Sequence, residues 1–448
     1  MAERHRAAPE GQMDGPIDRS APGDDPDHAE PTHRPSHARP GRATAKDSLR
    51  DSIALLFSRR FGTFFIASLL SNMGTWAQQI AEPWLLLSLG ASPFIIGLDS
   101  FAGSAPAWGL TLIGGLLADR GDRRLVIARF QSIQMLCPLA LVALLLTGQV
   151  RPWIVVVLSL VVGVTDALSM PSFQTITPTI VERRQIGTAL ALNATQFNLS
   201  RMLGPVFAGV LMSAFGAVAC FAANAASFIP FIVVALWILP KGAPAAAGRG
   251  TEAVRLATTL RRVWSDRDLA GSLATVFLTG LLCGPLIVFS PVLIRDVLQA
   301  DVTAFGGAVG AFGAGGLLGS TLLLALGPAV DRRLICSLFA IAYGAAEIGA
   351  ALAPWVPATL LSLAVGGVAM SMSNISANTT LQTAAPRAML GQSVSLFMLA
   401  LRGGLAAGSL VTGVTVGWLG ARHALAINGA LAMVAQSVVA ARWWWRRR

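Results

Sequence analysis

Charge is scarce in this chain: Asp, Glu, Lys and Arg make up 13% of 448 residues, against 54% hydrophobic residues. Soluble domains carry roughly 25% charged residues, so an ordinary soluble fold is excluded. Tyrosine occurs once and histidine five times, with four of the histidines before residue 40. A histidine-based active site is therefore hard to assemble. The four cysteines, Cys137, Cys220, Cys283 and Cys336, lie in or beside apolar runs without metal-ligand spacing. They read as small buried hydrophobes, which leaves no disulfide framework. A nucleophile–base pair, a metal cluster and a phosphate loop are all missing, so no enzyme, cofactor or metal is expected. The net charge of +11 is spread over many short segments. That pattern suits anionic lipid headgroups as partner and argues against nucleic acid.

What the chain does have is apolar length. From Phe61 onward, runs of about 20 to 25 residues follow one another, each long enough to cross a bilayer as a helix. They read as 61–89, 93–118, 125–146, a fourth from Trp153 that breaks at Pro171, 188–215, 218–239, 269–294, 304–326, 334–353, 357–381, 390–417 and 424–441. Twelve spans result. Residues 1–50 are rich in Pro, Asp, Arg and His and lack large apolar residues, so they read as a disordered cytoplasmic tail and not a signal peptide. Residues 241–268 break the span pattern. Val254, Ala257, Leu260 and Trp264 there fall on one helical face, as in an amphipathic helix at the headgroup level. The tail at 442–448 joins Trp443, Trp444 and Trp445 to arginines, an interfacial anchor.

Basic residues set the orientation. One set of loops carries Arg59, Arg60, Arg120, Arg123, Arg124, Arg183, Arg184, Lys241, Arg249, Arg255, Arg332, Arg333, Arg387 and the run from Arg442 to Arg448; the other carries Arg151, Arg295 and Arg422. By the positive-inside rule both termini are cytoplasmic. The halves echo each other: Asp122-Arg123-Arg124 returns as Asp331-Arg332-Arg333, Ser169-Met170 as Ser371-Met372, and Arg201 as Arg402. Three landmarks in one order, with a linker between copies, mark a six-plus-six duplication with the substrate site between the halves. The implied domains are 51–240 and 269–441, joined by 241–268 and flanked by 1–50 and 442–448.

The stretch Gly115 to Arg124, GLLADRGDRR, joins spans 2 and 3. It reads as an ordinary positive-inside loop on charge alone, but its order says more. Gly115, Asp119, Arg120, Arg123 and Arg124 match G-x-x-x-D-R-x-G-R-R, so the loop closely resembles the one between helices 2 and 3 of major facilitator superfamily transporters. Asp122 replaces the second glycine of that pattern, a form expected of the subgroup of enterobactin-type siderophore exporters and macrolide efflux proteins. Span 1, with Asn72, Gly74, Trp76, Gln78 and Gln79, resembles the subgroup's first helix. Span 5, with Asn193, Asn198, Arg201, Gly204, Pro205 and Gly209, resembles its fifth, although Ser200 and Ala208 replace two glycines of the antiporter pattern there. The resemblance implies an all-α membrane protein of twelve transmembrane helices in two pseudo-symmetric six-helix bundles. It further implies a monomeric, multi-pass transporter of the inner membrane that exports a small organic molecule in exchange for protons. An importer of the same fold and a transport-inactive scaffold or sensor are the alternatives.

Ionisable groups inside spans are costly and mark candidate sites. Glu82 and Asp99 lie at similar depth in spans 1 and 2 and are candidates for proton coupling; burial of a carboxyl favours its proton-carrying form. Hydrogen-bonded carboxyls at the water interface are the bland alternative. Glu347 is expected to face a neighbouring helix. Asp166 is expected to pair with a basic group of the span 2–3 loop or of span 11, as part of a conformational latch with Gly115, Asp119, Arg120, Arg123 and Arg124. Arg201 and Arg402 keep their charge, so each needs a structural partner or an anionic ligand. Asn374, Asn378 and Gln382 share a helix face. With Asn72, Trp76 and Gln79 they line either a wet substrate cavity or interhelical contacts.

The loop yields the first prediction. Asp119, at the end of span 2, is placed to accept from backbone N–H groups at the start of span 11 when the cytoplasmic side is closed. Asp119→Asn should shift the population toward inward-open by about 1 to 2 kcal/mol and cut transport severely, while Asp331→Asn does less. Cysteine accessibility and flux measure both. Normal transport by Asp119→Asn, or equal effects at the two sites, would reduce the loop to a topology signal.

Overall fold

The computed structural model describes residues 53–120, 122–240, 265–326, 330–385 and 390–445. The expected tail at 1–50 and the amphipathic segment at Val254 to Trp264 lie outside the described residues. Among those residues regular structure is helical, without strands. That is the expected response of a backbone that finds no water in the bilayer core and must satisfy its polar groups internally.

The helices are α1 (Phe61–Ser88), α2 in two segments (Pro93–Ser104 and Ala107–Arg120), α3 (Arg123–Leu146), α4 (Pro152–Ile176), α5 (Ile186–Phe215) and α6 (Ala217–Trp237). The second half repeats the count with α7 (Arg267–Val297), α8 (Val302–Ala325), α9 (Arg332–Leu352) and α10 (Val356–Ala384), then one helical run over Leu390–Trp445. That run reverses at Gly420, whose φ of 76° and ψ of 160° are left-handed and cost a residue without Cβ little. It is therefore two helices, α11 (390–419) and α12 (421–445). Gly216, φ 79°, makes the same reversal between α5 and α6.

Eight described stretches are individually long and apolar enough to cross a membrane, the Ser395–Trp443 stretch holding two helices. The other three helices, α1, α2 and α5, fall short because α2 is broken at Pro106 and the others carry Asn, Gln, Glu82 or Arg201. One boundary is corrected: α4 does not break at Pro171 but runs through it to Ile176. Spanning helices tolerate proline where a neighbour covers the freed carbonyl, and the Ala167 carbonyl lies against α2 at Gly114.

The two halves pack alike. In the first, α1 lies on α5 and α6, α3 on α4 and α6, and α2 on α4. In the second, α7 lies on α11 and α12, α9 on α10 and α12, and α8 on α10. The halves meet at α2–α11 and α5–α8. A Cβ on Gly97 would come 2.3 Å from the Ser409 carbonyl oxygen, and one on Gly209 would come 2.4 Å from that of Gly306. These contacts sit toward the end of the molecule that holds the Gly216 and Gly420 turns, here the turn end. The largest apolar core lies there and is shared, with Ile80, Leu86 and Ile96 joining Leu286, Phe289 and Phe305. Trp84 of α1 stacks on Phe305 of α8 at 5.0 Å. Toward the opposite, basic end the cores are separate: one holds only first-half residues such as Phe61, Phe64 and Phe231, another only second-half residues such as Leu269, Leu381 and Phe397. The structure is sealed at the turn end.

Gly209→Ala should part α5 from α8 and cost about 1 to 3 kcal/mol, the usual penalty of overpacking. Gly187→Ala, on the same helix with nothing near its would-be Cβ, should cost nothing. Thermal unfolding in detergent compares them, and equal melting would mean that the crossing has slack.

Candidate functional site

The turn-end half of the first bundle holds a connected polar chain. Gly74 lets α6 approach α1, since a Cβ there would lie 2.4 Å from Ser227 Oγ. Asn224 of α6, buried, donates to Gln78 Oε1 at 2.6 Å, and Gln78 Nε2 donates to Glu82 Oε1 at 2.8 Å. Thr75 and Ser227 donate to Asn224 Oδ1 at 3.5 and 3.3 Å. The chain thus runs from α6 across α1 and ends at a carboxyl beside Pro83. Asp99 of α2, 4% exposed, has its Oδ1 buried without a hydrogen-bond partner and neighbours Glu82. Ser159 of α4 stands beside Asp99. The fold therefore brings Glu82 and Asp99 together. Sequence reasoning missed Asn224, for which the only signal was one amide in the otherwise apolar ACFAANAASF.

A second group lies between the halves. Of the two partners open to Asp166, the structure selects Arg402 of α11, whose Nη1 donates to its Oδ2. Beside this pair, Trp108 of α2 packs on Gly403, where a Cβ would lie 2.9 Å from the indole nitrogen. Arg201 of α5 has no hydrogen bond or ion pair among the described residues, and its Nε is buried. One turn on, Gly204 receives Trp76 of α1, and Pro205 packs on Gly313 of α8. Gly204, Pro205 and Gly209 are thus contact residues of α5 with α1 and α8. Ser200 and Ala208, in place of two glycines, are fully buried.

Asn72 and Trp76 are partly buried, and Gln79 is exposed. On α10, Asn374 is 2% exposed with an unpartnered Oδ1, while Gln382 donates to Asn378 at 2.9 Å. Among the described residues no hydrogen bond joins the α10 amides to those of α1. Glu347 of α9 is fully buried, with Cys283 of α7 and Tyr343 as neighbours. Among the described residues no three His, Cys, Asp or Glu side chains cluster as metal ligands.

At the basic end the side chains of Gly115, Asp119 and Arg120 lie outside the described residues. Asp122 caps α3, accepting from Arg124 N at 3.1 Å and Arg124 Nε at 2.9 Å. Arg124 then reaches the Leu236 carbonyl at 3.2 Å, completing the C-terminal end of α6. The mirrored Asp331 caps α9 through Arg333 N at 2.9 Å, and Arg333 pairs with Asp268 at the start of α7. Trp443 donates its indole N–H to the same carboxylate at 2.9 Å. That corrects the reading of Trp443 as an interfacial anchor. It is 5% exposed, packed on Gly271 inside the second bundle, because the half-buried Asp268 carboxylate holds its nitrogen.

Two pseudo-equivalent six-helix bundles, a glycine-lined seam and polar groups gathered within and between the bundles define a major facilitator transporter. The chain belongs to the transmembrane secretion effector family, whose model matches residues 51–445. It is 28% identical over 341 residues to the multidrug efflux pump Tap of Mycolicibacterium fortuitum, covering 74% of this chain and 82% of that protein. It is 25% identical over 352 residues to the enterobactin exporter EntS of Salmonella typhimurium, covering 75% and 81%. With the staphyloferrin A transporter of Staphylococcus aureus, identity is 25% over 178 residues, and the chain spans 44% of that protein's length. Among solved structures, the nucleoside transporter NupG aligns with TM-score 0.66 at 14% identity, over 86% of this chain and 100% of that one. A bacterial homologue of the lysosomal transporter Spinster, inward-facing and unoccupied, aligns with TM-score 0.61 at 14% identity, over 89% and 98%. The fold is the shared property.

The Asp166–Arg402 pair is testable by a double-mutant cycle. Asp166→Ala and Arg402→Ala should each destabilise the purified protein, and the pair should show a coupling of about 1 to 2 kcal/mol in thermal unfolding. Additive losses would mean that the two groups act independently.

Proposed function

We propose that this transporter exports an amphiphilic small organic molecule across the inner membrane in exchange for protons, by alternating access. The single observation that carries the reading is the Glu82–Asp99 pair at the end of the Asn224–Gln78 chain. Two carboxyls sharing a low-dielectric site bind protons reversibly, because both cannot easily be charged at once. Their place beside the sealed turn end suits a proton site that fills from one side and empties toward the other.

Direction draws support from the efflux and export functions named for Tap and EntS, and orientation from the charge asymmetry of the loops. On that orientation both termini are cytoplasmic, the turn end is extracellular, and this conformation faces inward. The working division is a tail at 1–50, bundles at 51–240 and 269–441, a linker at 241–268 and a basic tail at 442–448. In this scheme Asp166–Arg402, with Gly115, Asp119, Arg120, Arg123 and Arg124, holds the cytoplasmic half in register. Asn72, Trp76, Gln79, Asn374, Asn378 and Gln382 face the cargo. The protein works as a monomer in contact with lipid.

Everted vesicles with an imposed acid-inside gradient, screened with siderophores, macrolides and dyes, should accumulate the cargo. Glu82→Gln should bring gradient-driven uptake to background while leaving equilibrium binding of the same cargo intact. Undiminished proton-coupled uptake by that variant would remove Glu82 from the mechanism and transfer the role to Asp99.

A further inference from the structure

The internal duplication makes a specific structural demand that the sequence leaves unmet. Arg201 and Arg402 occupy equivalent positions on α5 and α11. Arg402 is neutralised across the boundary between the halves by Asp166 of α4. By the same two-fold relation, Arg201 should be neutralised by an acid on α10, the repeat mate of α4. The Ser169-Met170 and Ser371-Met372 landmarks align Asp166 with Val368. The shortfall does not hinge on that register, because α10 holds no Asp or Glu anywhere in Val356–Ala384.

Arg201 is left as a guanidinium midway along a membrane helix, without a hydrogen bond or ion pair among the described residues. It cannot shed its charge, and an uncompensated charge at that depth is expensive. Its surroundings on α5 are mixed. Asn198 lies one turn before it with its oxygen uncommitted, its amide donating to the Ala194 carbonyl. One turn after it, Gly204 seats the Trp76 ring of α1. A planar fork of donors one helical turn from an aromatic side chain suits a planar anionic group carried on an apolar or aromatic body.

We infer that Arg201 is the anion-recognition residue of the cargo site, and that the cargo is an anionic amphiphile whose carboxylate, sulfonate or phenolate takes the place of the missing α10 acid. The inference rests on the transporter reading for the word cargo. Its test uses equilibrium binding alone, so it stands or falls separately from direction and proton coupling.

The experiment titrates full-length protein in maltoside micelles with two dyes that share their rings: anionic anilinonaphthalene sulfonate and neutral phenylnaphthylamine. Wild type should bind the sulfonate at least about tenfold more tightly than the neutral dye, the scale of one charge-assisted hydrogen bond. Dihydroxybenzoate should displace the sulfonate, and benzamide should not. Arg201→Gln should erase the preference while binding the neutral dye as before, and Arg201→Lys should keep part of it. Equal affinity of wild type for both dyes would overturn the inference without any variant. So would a full sulfonate preference in Arg201→Gln, or a parallel loss of both dyes in Arg201→Gln and Arg201→Lys.

Discussion

Backbone touches backbone where the two halves meet, and the rest of the arrangement follows from that. At α2–α11 and α5–α8 the side chain is a single hydrogen, and helices approach until a carbonyl occupies the space a methyl group would need. In lipid there is little hydrophobic gain in bringing helices together, so close van der Waals contact through small residues supplies the association. Such a contact is lost abruptly when the helices part, since no long side chain spans the gap. The seam is thus suited to being either shut or open. With it shut at the turn end, a continuous apolar core runs through both halves, and at the other end each half keeps a core of its own.

Against that apolar frame the polar groups sort into three environments. Glu82 and Asp99 lie within the first bundle, and amides of α1 and α6 reach Glu82. Asp166 and Arg402 lie across the boundary and compensate each other. Arg201 lies beside the same boundary, uncompensated. Groups within a bundle can change protonation without moving helices. A pair across the boundary resists separation. An unpaired group at the boundary is free to be paired by something that comes and goes. On the proposed function, these three environments would serve as proton carrier, restoring contact and ligand contact.

Much of this was legible in the chain itself, and the limits are instructive. Apolar runs located the helices because length against bilayer thickness is a one-dimensional property. The repeated Asp-Arg-Arg and the Arg201–Arg402 echo exposed the duplication for the same reason. Pro171 misled, because its effect depends on whether a neighbouring helix covers the freed carbonyl. Trp443 misled because a tryptophan beside arginines looks the same in sequence whether its nitrogen meets water or Asp268. Asn224 escaped notice because a lone amide acquires meaning only from the glutamine it faces. Charge gave Asp166 a distant partner class, a basic group of the 2–3 loop or of span 11, but Trp443 and Asn224 carry no charge to announce theirs.

The buckle at the basic end of the second half has a consequence for how the protein is made. Asp268 opens α7, Arg333 opens α9 and Trp443 closes α12, so three chain positions far apart in sequence share one carboxylate. A ribosome delivers them in that order. Asp268 and Arg333 can pair while α10 to α12 are still unsynthesised, which shields the two charges early. The tryptophan arrives last and slides onto Gly271. The first half has the same habit, for Arg124 waits for the Leu236 carbonyl at the far end of α6. In each bundle the final helix fastens the start of an earlier one, α6 that of α3 and α12 that of α7, so these contacts form only once the last helix of that half is made.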